Sequence, residues 1–91
     1  MLHIVKTIQA LPDVVSLFQA DDALLLIEES VYAANPQHHV YRQIQGLNIA
    51  VLANDAKARG IENRISSNVV LVDYNGFVEL TTNHANSMTW E

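Results

Sequence analysis

Residues Ala23–Glu28 read ALLLIE, and the placement of this run decides the fold. Successive side chains on a strand point to opposite faces, so a strand with one wet face alternates apolar and polar residues. Here five apolar residues follow one another without a polar break, so both faces must be covered. The run is too short for a buried helix and suits a strand. Strands covered on both faces are characteristic of parallel sheets. NIAVLA (Asn48–Ala53) and NVVLVD (Asn68–Asp73) have the same character, and LHIV (Leu2–Val5) opens the chain. The reading is four parallel strands near residues 2–6, 23–28, 48–53 and 68–73.

What lies between the strands is helical. Leu11, Val14, Val15 and Phe18 follow i, i+3, i+4, i+7, one face of a helix, and Pro12 suits a first helical turn. SVYAA and HHVYRQIQG read as a helix interrupted near Asn35-Pro36, with Val40, Ile44 and Leu47 on its apolar stripe and Gly46 as terminator. NDAKARG is a short helix capped by Asn54 or Asp55 and ended by Gly60. Tyr74, Phe77, Val78 and Thr81 show helical spacing after the fourth strand, although FVELT also alternates like a strand. Strand–helix alternation with connections this short implies right-handed crossovers and a small three-layer α/β domain with helices on both faces of the sheet.

Composition narrows the function classes. A chain of 91 residues is one domain, residues 1–91. At that size folding buries only about 60–65% of the surface of the unfolded chain, so burial against a partner adds stability. No apolar run approaches the roughly 18 residues of a membrane span. MLHIVKTIQ lacks the basic stretch, apolar core and cleavage site of a signal peptide, so a cytoplasmic location is expected. There is no cysteine, which excludes disulfides, thiolate metal sites and a cysteine persulfide carrier. The net charge is -5, and the five basic residues are scattered. Such a surface repels nucleic acid rather than holding it.

No motif assembles an active site. Asp21-Asp22 are neighbours that point apart, most simply a turn before a strand. Glu28, Glu29 and Ser30 lie at the carboxyl end of the second strand, where open α/β folds place ligands; the plainer reading is a helix start with a serine cap. His38 and His39 are adjacent and cannot share a helix face as metal ligands do. His3 reads as a core or edge filler. The only glycines, Gly46, Gly60 and Gly76, form no phosphate loop, and no serine sits in a GxSxG turn. Catalytic, cofactor-binding and metal-binding residues are therefore none, and no cofactor is expected.

The end of the chain is its most distinctive part. LTTNHANSMTWE carries Met88 and the only tryptophan, Trp90, where tails are usually small and polar. It reads as a docking segment, set either on the domain's own sheet or on a neighbouring subunit.

Five segments in order carry a family resemblance: the opening MLH, LLLIEESVYAA, NDAKARGI, ISSNVVLVDYNGFVELT and the closing H-x-x-S-M-T-W, His84 to Trp90. Together they resemble the TusB/DsrH family of sulfur-relay subunits, over nearly all the chain and least over Gln9–Ala20 and Asn35–Gly46. The resemblance implies a flavodoxin-like, DsrE-type fold in a cytoplasmic heterohexamer of TusB, TusC and TusD subunits. It implies that the persulfide cysteine sits on TusD, and that sulfur passes from TusA through TusE to the thiouridylase MnmA, for 2-thiolation of the tRNA wobble uridine. The DsrH branch serves sulfur oxidation, and some members carry a cysteine in the first helix. This chain has Val14, Val15 and Ser16 there, which favours the TusB branch and a non-catalytic, structural role. The alternatives are a DsrH-like subunit of a sulfur-oxidation complex, or a small-ligand-binding module acting as a homo-oligomer.

A small domain with two sheet faces to cover leaves apolar surface for partners. Val31, Tyr32, Tyr41, Phe77, Met88 and Trp90 are the expected contributors, with TusC-like and TusD-like subunits as partners and a TusE-type acceptor reached through the complex. Isolated from them, the same surface is expected to pair with its own copy as a homodimer.

Overall fold

The computed structural model describes all residues, Met1–Glu91. Its centre is a parallel sheet of five strands, one more than the apolar runs predict: β1 (Leu2–Val5), β2 (Ala23–Leu26), β3 (Ile49–Leu52), β4 (Val70–Val72) and β5 (Ser87–Trp90). The spatial order is β4-β3-β2-β1-β5. The additional strand is the tail: Leu2 pairs with Ser87 and Val5 with Trp90. Its sequence SMTW is too short and too mixed to announce a strand by itself.

The order explains how the faces are covered. Moving from β1 to β4 the chain steps always in one direction, so right-handed crossovers put the connections on one face. These are α1 (Leu11–Leu17), a 3-10 stretch over Glu28–Ala34, α2 (Tyr41–Ile44) and α3 (Ala53–Ala58). Their apolar sides bury Val5, Leu24, Leu26, Ile49 and Val51 in a core cluster of 16 residues. From β4 the chain must return across the whole sheet to β5, so α4 (Tyr74–Asn83) lies on the other face. That face has a smaller cluster of 7 buried residues, including Leu2, Ile4, Leu25 and Leu52, with Phe77 and Leu80 of α4 packed against it.

The turns follow local chemistry. The Gly60 N–H reaches the Lys57 carbonyl at 3.1 Å and the Ile61 N–H reaches that of Ala56 at 3.0 Å. With Gly60 at φ +70, this pairing is the left-handed helix ending that glycine permits at no steric cost. Asp73 caps α4 by accepting from the Gly76 N–H at 2.8 Å. A Cβ on Gly76 would stand 2.9 Å from that of Val72, so the glycine lets α4 lie close on β4.

Candidate functional site

At the carboxyl end of the sheet, Glu28, Glu29 and Ser30 all make contacts within the chain. Ser30 is fully buried, and its hydroxyl lies 2.5 Å from the Val5 carbonyl and 2.8 Å from that of Ile27. It ties the ends of β1 and β2 together rather than capping a helix or facing a ligand. Glu28 has φ 51, and its N–H donates to Asp55 Oδ2 at 2.7 Å. Glu29 Oε1 accepts from the Ile8 N–H at 3.3 Å. Lys6 lies 3.3 Å from Glu91 and 3.9 Å from Glu28. No group of three or more His, Asp and Glu side chains converges as a metal site.

The opposite end of β1 holds a network that sequence patterns miss. Asp22 Oδ1 accepts from the Met1 α-ammonium at 2.8 Å. Asp22 Oδ2 accepts from the Gln19 N–H and lies 2.9 Å from His3 Nε2. His3 Nδ1 lies 3.2 Å from Trp90 Nε1. An indole nitrogen only donates, so Nδ1 accepts, and Nε2 carries the ring proton toward Asp22. Asp22 is thus held well below the usual carboxylate range, first by the ammonium, then by the Gln19 N–H, then by His3. The His3 ring is 2% exposed as a residue and lies beside those of Phe18 and Trp90. A cavity of about 300 Å³ opens on this network between Leu17, Met88 and Trp90. The tail is therefore docked on the chain's own sheet through both β5 and Trp90. Of the other histidines, His38 and His39 stack on each other, and His84 Nδ1 lies 2.8 Å from the Leu80 carbonyl at the end of α4.

The surface divides the expected interface residues. Val31 and Tyr41 are buried in the chain's own core, which corrects their expected place in an exposed patch: the 3-10 stretch turns Val31 onto the sheet, and the Tyr41 hydroxyl lies 3.0 Å from Ser66 Oγ. Tyr32 and Trp90 are half-buried against the larger cluster and Phe77 against the smaller, while Met88 is exposed. A different surface emerges instead. No residue from Val70 to Glu91 is buried. Of the seven large apolar side chains left exposed, five fall there: Val70, Leu71, Tyr74, Val78 and Met88. Val70 shares the α4 side of the sheet, while Leu71, opposite Val51, lies on the other side; isolated exposed apolar groups are ordinary, whereas contiguous patches of them mark contact surfaces. From Ile65 to Trp90 the only charged residues are Asp73 and Glu79, and loss of charge with retention of aromatic residues and methionine is the signature of an interface core.

A family model described as DsrH like protein matches residues 6–87. The chain belongs to the DsrH-like family. Among relatives of this DsrH-family chain, Protein TusB of Pectobacterium parmentieri is 34% identical over 95 residues, covering 99% of this chain and all of the relative. Protein TusB of Salmonella dublin is 38% identical over 81 residues, covering 87% of this chain and 85% of its own. The crystal structure of the ychN protein from E. coli superposes on the DsrH-family fold with a TM-score of 0.77 over 98% of this chain and 97% of that one, at 13% identity; this likeness is one of fold. No helix is long and apolar enough to cross a membrane.

Proposed function

We propose that this chain is the TusB-type subunit of a cytoplasmic TusBCD-like sulfur-relay heterohexamer, a structural member that carries no sulfur itself. The observation that carries this reading is the run Val70–Glu91, which has no buried residue and keeps most of the exposed large apolar side chains. Such a surface needs neighbours. The family resemblance of the sequence suggests TusC-like and TusD-like chains as those neighbours. A chain without cysteine and with net charge -5 neither accepts a persulfide nor grips tRNA, and a subunit that shapes an assembly needs neither property. The relay then proceeds on the TusD-like cysteine toward a TusE-type acceptor and 2-thiolation of the wobble uridine. Co-expression with the TusC-like and TusD-like chains of the same organism tests it. The expected product is one complex containing all three chains, whose removal from the cell lowers wobble 2-thiouridine. Failure of this chain to co-purify with either partner would remove the reading.

A further inference from the structure

The cavity beside His3 has no part in the sulfur-relay reading, and its walls are of two kinds. At about 300 Å³ it falls at the lower end of the cavities that hold small molecules, about 300–1,000 Å³. His3 and Asp22, both more than nine-tenths buried, form its inner wall. Met1, Leu17, Met88 and Trp90 supply apolar surface around them, and Leu17 and Met88 stand exposed at its mouth.

The charges of the inner wall are already matched. The Asp22 carboxylate accepts from the Met1 ammonium, the Gln19 N–H and His3, so one negative and one positive group sit in contact at 2.8 Å. His3 uses both ring nitrogens, one toward Asp22 and one toward Trp90. A cation entering here would have to displace the ammonium from Asp22, and an anion would be brought against the carboxylate. Burying an unpaired charge is costly, so the cavity suits a neutral molecule. Two features describe that molecule further. The Trp90 indole and the Met88 thioether are polarizable surfaces that pack well against a flat ring. Gln19 lends only its backbone to the network: its N–H donates to Asp22 Oδ2, and its carbonyl accepts from the Asp22 N–H at 2.9 Å. Its side-chain amide is left free and offers a donor and an acceptor side by side, a pattern that a second amide completes with two hydrogen bonds. We propose that this cavity binds a small, neutral aromatic amide, whose ring lies among Leu17, Met88 and Trp90 and whose amide pairs with Gln19. The inference does not rest on the sulfur-relay reading and needs no partner subunit.

Trp90 is the only tryptophan, so the fluorescence of the full chain reports on this cavity. The probes are benzamide, benzoate and benzylamine, which share one ring and differ in the charge of the head. Benzamide is expected to change Trp90 emission saturably and to bind at least about tenfold more tightly than either charged probe. Leu17→Arg sets a long charged side chain at an exposed position of the mouth, and circular dichroism checks that the fold is kept; this variant is expected to lose the saturable change. Gln19→Leu keeps the backbone bond to Asp22 but removes the side-chain amide, and is expected to weaken benzamide about tenfold. Tighter binding of benzoate or benzylamine overturns the neutral ligand and with it the inference. Benzamide binding that Leu17→Arg leaves unchanged lies outside the cavity and does the same. If no probe changes Trp90 emission saturably, the cavity is not a site for this class of molecule and the inference falls. If Gln19→Leu binds benzamide as well as the wild type does, the amide pairing is overturned.

Discussion

Asp22 accepts hydrogen bonds from an ammonium, a backbone N–H and His3 at once. Its carboxyl is depressed in the folded chain, whereas an unfolded aspartate titrates near pH 3.9. A group depressed on folding stabilises the native state above its unfolded pKa, and that stability is lost as pH falls toward the folded value. Thermal melts should therefore show Asp22→Asn less stable than wild type at pH 7, with the gap closing as pH drops below about 4. A gap independent of pH would mean that the carboxylate charge contributes nothing. Ser30 gives a second expectation. Its buried hydroxyl bridges two strand ends, so Ser30→Ala should cost about 1 kcal/mol in urea unfolding and leave assembly with partners intact. A lost assembly would return attention to the strand end as a binding site. The sequence made neither role visible. His3 is one polar residue in a strand, and Asp22 one of two neighbouring acids before another. They become partners only because β1 and β2 pair in a register that brings Leu2 opposite Ala23.

At the scale of elements, the strands with continuous apolar runs were legible; coverage on both faces accounts for β2 and β3, whereas β4 carries the same kind of run at an exposed edge. The helix over Tyr74–Asn83 was legible from the spacing of Tyr74, Phe77 and Val78. The fifth strand was not, because nothing in SMTW says that its partner is β1, at the other end of the chain. Deleting Ser87–Glu91 should expose the outer edge of β1 and remove the Trp90 indole from His3. Truncating a fully buried tryptophan costs about 3–5 kcal/mol, and Trp90 is half-buried, so a smaller loss is expected, read as a lower melting temperature and urea midpoint. An unchanged melt would show that β5 is dispensable to the fold. Val31 and Tyr41 were misplaced for a related reason. The residues after β2 form a 3-10 stretch rather than an α-helix, which turns Val31 inward, and Tyr41, at the start of α2, is buried with its hydroxyl 3.0 Å from Ser66 Oγ.

For the whole molecule, the decisive absence is chemical. Sulfur transfer between proteins proceeds through thiolate attack on a bound sulfur, and this chain has no thiol. Incubated alone with a cysteine desulfurase and its carrier, it should gain no sulfur atom by intact-mass spectrometry. A stable gain of one sulfur would require a site that none of its side chains provides. The two sides of the sheet also have different duties. Three connections, one with α1, one with the 3-10 stretch and α2, and one with α3, seal one face. A single helix, none of whose residues is buried, serves the other, so that face is the less sealed of the two.

The pairing of β1 with β5 also bears on the birth of the chain. Synthesis delivers β1 to β4 in the order in which they dock, at about 5–20 residues per second, but the neighbour that closes the far side of β1 emerges only after α4. Until Ser87–Trp90 appears, a nascent chain holds a sheet whose first strand has one bare edge, open to pairing with any passing strand. The sheet thus gains its fifth strand late, through a contact of long sequence separation, the kind that slows folding. The interval between β4 and β5 is when a ribosome-bound copy is most exposed to mispairing, and when early arrival of its partner subunits would protect it most.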